Sequence, residues 1–129
     1  MKPITQEWVD RAEEDWDIAG LAFRSRRTPR YNGTCFHTQQ CVEKYLKAQL
    51  QEESLTTPKT HDLGKLLDLL IPTHPLWAAL RPALDPLNLY AVDSRYPGDT
   101  ADRDEAREAL KLCRAVRETI RLSLGLSAS

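Results

Sequence analysis

The sequence of 129 residues has no apolar run long enough for a membrane span, which needs about 20 residues. The best stretch, 63–71, is broken by Gly64, Lys65 and Asp68. The start, Met1-Lys2-Pro3-Ile4-Thr5, turns polar at once and offers no apolar secretory core. A cytoplasmic setting with no membrane attachment is the expectation. Cysteine is scarce and odd in number, so complete intrachain pairing is excluded. Cys35 and Cys41 lack the short spacing of a zinc hook, and with Cys113 they read as small core residues. No alternating strand pattern, hairpin signal, internal repeat, glycine-rich phosphate loop or nucleophile elbow is present. His37, His61 and His74 are dispersed, so no metal site is expected, and no cofactor. A net charge of −1 argues against nonspecific coating of nucleic acid, although a local basic patch is compatible with it.

What is present is helical periodicity. A length of 129 residues suits a single domain, residues 1–129. A first helix is expected from about Thr5, as cap, to Arg26, with Glu7 in its first turn. Trp8, Ala12, Trp16, Ala19 and Phe23 form its apolar stripe, and the tryptophans, Trp77 included, read as core. A second helix runs from about Gly33 to Glu52, striped by Phe36, Gln39, Val42, Glu43, Leu46 and Leu50. Asp62 caps a third, whose face is Leu63, Leu66, Leu67 and Leu70. Prolines 75, 82, 86 and 97 punctuate a stretch of short helix and turn, followed by a loop at 94–99. The last helix spans about Thr100 or Asp102 to Leu124, striped by Ala106, Ala109, Leu110, Cys113, Val116, Ile120 and Leu124. A frayed tail follows. The fold class expected is all-α: an antiparallel up-and-down four-helix bundle with one or two additional short helices.

Several polar residues invite a functional reading. Gln39, Glu43 and Lys47 share one helix face at steps of four, and the first two lie on an apolar stripe. Buried polar groups need partners, so they either lace a helix contact or line a cleft. Arg24, Arg26, Arg27 and Arg30 crowd a helix end. They complement its dipole or form an RNA-contact patch. Arg30 and His37 are spaced by two helical turns, but Asn32-Gly33 is expected to interrupt that helix. His61 reads as a packed or capping residue, or as the rim of a cleft. His74 reads as a surface loop residue.

Four stretches, in order, resemble the HEPN family: 11–19 in the first helix; 36–48, with its paired glutamines, Glu-Lys and Leu-Lys-Ala; Pro58 to Leu63; and Tyr90 with Ser94-Arg95-Tyr96-Pro97. The resemblance implies a homodimer, and a nucleotidyltransferase partner in a toxin–antitoxin-like module. It also implies binding of a nucleotide or RNA phosphate in a polar cleft by Arg95 and Tyr96 with Gln39, Glu43, Lys47 and Asp15. Some members of the family are metal-independent endoribonucleases carrying an arginine followed, four to six residues on, by a histidine. Here Arg95 stands at the expected place but no histidine follows it. Tyrosine, with a reference pKa near 10, is a poor base. Whether the chain is an enzyme is therefore left open. If it is, Arg95, Tyr96, His61 and His37 are the candidates. The alternative is a noncatalytic dimerisation or adaptor module.

Overall fold

The computed structural model describes residues 1–26, 28, 30–91 and 97–129. Among them the chain is all-helical, as expected: α1 (Pro3–Phe23), α2 (Tyr31–Glu52), α3 (Leu63–Leu70), a 3-10 turn (Pro75–Leu80), α4 (Arg81–Asn88) and α5 (Arg103–Ser123).

Helix α1 begins earlier than the sequence suggests. Pro3 occupies its first turn and Lys2 is the N-cap, with no acidic residue in that turn. Proline suits this position because the N–H it lacks would be unpaired there. Thr5 is therefore not the cap. It lies inside the helix, is buried, and donates to Glu52 Oε1 at 2.9 Å. Asn32 and Gly33 do not interrupt α2; both lie within it.

Helix α2 is the centre of the molecule, packed against α1, α3, α4 and α5. It is consequently buried around most of its circumference, and its interior includes Tyr45, Leu46 and Leu50 together with Thr38, Gln39, Glu43 and Lys47. Leu63, Leu66, Leu67 and Leu70 of α3, Leu84 and Leu87 of α4, and Ala106, Cys113, Val116 and Ile120 of α5 complete the core. All three cysteines are buried thiols outside any disulfide, which agrees with their reading as core residues. Trp8, Trp16 and Trp77 pack against the core only partly buried.

Side-chain bonds fix the helix directions. The N-terminus of α1 meets the C-terminus of α2 through Lys2 N and Glu52, so the two are antiparallel. Asn32 accepts from Ala101 N at one end of the α2–α5 pair, and Tyr45 accepts from Arg121 at the other, so these helices run the same way. Helix α3 also follows α2, because His61 lies against Glu43 and His74 against Glu53. The linker 53–62 carries the chain back alongside α2 to make this possible. Helix α4 then reverses, bringing Asn88 to the start of α3, where its Oδ1 accepts from Leu63 N at 3.0 Å.

The tail is not frayed. Arg117 Nη1 donates to the Ala128 carbonyl at 3.1 Å and Arg121 Nε to that of Ser127, so 127–128 are held against α5. Among the described residues, no helix is long and apolar enough to cross a membrane.

Candidate functional site: carboxylate-held histidines along the central helix

One strip of α2 carries most of the polar residues singled out above. Glu43 is its hub. The carboxylate is 4% exposed, and its ordinary reason to be there is company. Gln39 Nε2 donates to Oε1 at 3.2 Å, Lys47 Nζ to Oε2 at 3.0 Å, and Nδ1 of His61 lies 2.9 Å from Oε1. Gln39 also donates to the His61 carbonyl and accepts from Gln40. The steps of four in the sequence thus become a connected network, with Lys47 Nζ 5.6 Å from the centre of the Trp8 ring. The network joins α2 to the linker, which explains why the return of the chain alongside α2 is held so firmly.

Asp15 belongs to a second cluster. It is buried on α1, with His37 Nδ1 at 2.7 Å and Lys44 Nζ at 2.5 Å from its two oxygens. Burial alone would push its carboxyl up, but the bonds and charges of His37 and Lys44 outweigh this and hold it below the usual range. Helical geometry sets His37, Gln40, Lys44, Glu43 and Lys47 on one arc of α2, since successive residues turn by about 100°. Both clusters therefore border the same band.

The third histidine repeats the arrangement. His74 Nε2 lies 2.8 Å from Glu53, and its ring stacks on Trp77 at 3.8 Å. It is thus a packed residue rather than a free loop side chain, because the stack and the contact with Glu53 both close over it. Each histidine of the chain is gripped by one carboxylate. A carboxylate accepts, so the gripped nitrogen carries the proton and the other nitrogen of a neutral ring is left as a base. Only His61 combines this with a widely open side chain, 66% exposed against 25% for His37 and 24% for His74.

The remaining expectations fare unevenly. Arg95 and Tyr96 lie outside the described residues, as does Arg27. Arg30 is the N-cap of α2 without a side-chain cap bond, while His37 is engaged by Asp15, so the Arg30–His37 spacing does not produce a paired unit. Arg24 turns back along α1. Its guanidinium lies over Gly20, where a methyl group would sit 2.9 Å from Nη1. Arg26 stays exposed. Among the described residues there is no group of three His, Cys, Asp or Glu side chains placed to hold a metal.

Sequence reasoning missed one site altogether. Glu13 receives Arg117 bidentately, at 2.7 and 2.6 Å, and Tyr45 Oη at 2.5 Å, while Arg121 donates to that phenol at 3.0 Å. Arg117 also lies over Trp16. Burial works against the Glu13 charge, but hydrogen bonds from Arg117 and Tyr45 and the two arginine charges hold its carboxyl low. Tyr45 is pushed up by burial and by the Glu13 carboxylate. Glu13 and Arg117 are separated by most of the chain, so no local pattern could have paired them.

Fold and site together define an all-helical protein with polar clusters set along its central helix. The HEPN domain model matches residues 5–123, and the chain belongs to that family. No curated protein and no solved structure matches it.

Proposed function

We propose that this chain is a single HEPN-type domain, residues 1–129, working in the cytoplasm as a homodimeric subunit of a toxin–antitoxin-like module with a nucleotidyltransferase. HEPN domains occur in toxin–antitoxin and ribonuclease-like modules. In this reading α1, α2, α4 and α5 are the four helices of an up-and-down bundle, with α3 and the 3-10 turn as the additional elements. The ligand is a nucleotide or RNA phosphate, held along the polar band of α2. The observation that carries the reading is His61, oriented through Nδ1 by the buried Glu43 while most of its side chain faces solvent. Lys47 balances the charge of Glu43 beneath it, and the sequence motif nominates Arg95, with Tyr96, as a phosphate ligand. Calorimetric titration with ATP tests this on the wild type, Arg95→Ala and His61→Ala. Affinity lost in both variants is the expected result. Equal affinity in all three would remove the band and Arg95 from the site.

The Glu43–His61 pair favours a second reading, a metal-independent ribonuclease with a non-standard base. Nε2 of a neutral His61 can accept the proton of an RNA 2′-hydroxyl as that oxygen attacks phosphorus; the P–O5′ bond breaks, leaving a 2′,3′-cyclic phosphate and a 5′-oxygen that takes a proton from water, and the carboxylate holds the tautomer in place. RNA cleavage in EDTA that is abolished in His61→Ala would support it. No ligand binding and no cleavage by the purified protein would leave the noncatalytic adaptor role.

A further inference from the structure

A second face of the molecule gathers cations that the α2 band does not use. Helices α1 and α5 both lie on α2 but touch each other little, and a groove runs between them. One section, about 440 Å³, is lined by Trp16, Asp17, Gly20, Leu21, Arg24, Leu110 and Arg114. The adjoining section, about 470 Å³, is lined by Phe23, Arg24, Arg107, Leu110, Lys111 and Arg114.

The α5 cations follow a rule. Arg103, Arg107, Lys111 and Arg114 recur at steps of four, four and three, which makes one stripe about 16 Å long at 1.5 Å per residue. All four, and Arg24, are exposed. Among the described residues only Arg107 has a carboxylate partner, Asp104 at 3.4 Å, whose own side chain is 88% exposed. Asp17 also lines the groove, with no ion pair among the described residues. Four cations of α5 and Arg24 at the end of α1 thus border one groove, with Asp17 and Asp104 as acids beside them.

The aromatic floor is roofed by these same groups. The Arg103 guanidinium stands 5.7 Å from the Phe23 ring centre and that of Arg114 5.8 Å from the Trp16 ring centre. A guanidinium held against a ring keeps donors on its edge for an incoming oxyanion and loses less freedom when it binds. Arg24 is accommodated by the missing side chain of Gly20. A glycine inside a helix costs about 1 kcal/mol relative to alanine. What the groove offers a ligand is therefore a row of N–H donors beside an apolar wall of Trp16, Leu21, Leu110 and Phe23, a pairing that suits a phosphate backbone whose bases can stack.

From this geometry we infer that the α1–α5 groove binds the phosphate backbone of a nucleic-acid strand, through Arg24, Arg103, Arg107, Lys111 and Arg114. The site is separate from the α2 band and independent of the function proposed for it. It also regroups the basic residues: Arg24 acts with α5, not with Arg26 and Arg30.

Fluorescence anisotropy with a labelled RNA of about 12 nucleotides, followed from low to moderate salt, tests the site. The probe is also offered with polyglutamate as competitor. The wild type should bind with an affinity that falls steeply with salt, polyglutamate competing poorly. Arg107→Glu/Lys111→Glu should weaken binding by ~10-fold or more and reduce the salt slope by about 1 or more. Arg24→Ala should give a smaller loss of both. These residues are exposed, and circular dichroism should show the fold unchanged. ATP titration of the double variant should match the wild type, so failure of this site and failure of the α2 reading are separate results. An unchanged RNA affinity and salt slope in the double variant would overturn the inference. So would polyglutamate displacing RNA efficiently, which would point to an acidic protein segment instead.

Discussion

Nδ1 of His61 lies 2.9 Å from Oε1 of Glu43, and the same carboxylate takes Lys47 Nζ on its other oxygen at 3.0 Å. One buried acid therefore neutralises a buried ammonium, orients an exposed imidazole and ties the linker to α2. Glutamate at a core position of a helix is explained by this triple duty.

Removing that acid should be costly. Glu43→Ala leaves Lys47, whose side chain is 8% exposed, charged and without its carboxylate. Loss of one partner from a buried pair typically costs about 3–5 kcal/mol. Urea unfolding should show a loss of that order, with Glu43→Gln milder because the shape and some hydrogen bonds remain. A loss under about 1 kcal/mol for the alanine variant would mean that Lys47 finds water, contrary to its observed burial.

Acid should unfold the protein through a small set of carboxylates. Glu13, Asp15 and Glu53 are each pushed up by burial, yet their partners hold them below the usual range: Arg117 and Tyr45, His37 and Lys44, Thr73 and Gln49 with His74. A carboxyl whose folded pKa is depressed contributes stability above its unfolded pKa, near 4, and that contribution fades as pH falls through the folded value. Stability should therefore be flat through these groups above about pH 5 and decline below about pH 4. Glu13→Gln should start less stable and show a shallower acid limb. An acid limb identical to that of the wild type would exclude Glu13 as a contributor.

The start of α3 rests on a small polar knot. Asp62 accepts from Gly64 N at 3.0 Å and Lys65 N at 3.3 Å, and Asn88 Nδ2 reaches the same oxygen. Asp62→Ala should cost about 0.5–2 kcal/mol, the usual range for an N-cap. Asp62→Asn or Asp62→Ser should recover most of it. The check is thermal unfolding of the three variants. Recovery by neither would place the effect of Asp62 in the Asn88 contact instead of the cap.

Much of the fold was legible because it is written in local periodicity. The stripes of α3 and α5 emerge as buried faces almost residue for residue, and Asp62 caps α3 where its position suggested, while Asp102, read as a possible first residue of the last helix, is its cap. The misreadings are local competitions. Threonine at position 5 looks like a cap, but Pro3 starts the helix sooner. Asn32-Gly33 looks like a break, yet nearby packing leaves the helix intact. Leu110 sits on the α5 stripe but is only partly buried, because α1 does not close over it and the groove begins there.

The site was legible only in part. Spacing by four brought Gln39, Glu43 and Lys47 together in advance, since a helix places such residues side by side. It could not supply His61, which arrives through a returning linker, nor separate Asp15 into a cluster of its own with His37 and Lys44.

Sequence alone determined the helices, the buried cysteines and the family, because each depends on residues near one another along the chain or on their order. Tertiary structure decided which carboxylate holds which histidine, the pairing of Glu13 with Arg117, and the placement of Arg24 in one groove with Arg107, Lys111 and Arg114. Those contacts join residues far apart in the chain, and their partners are chosen by how helices with similar surfaces settle around α2.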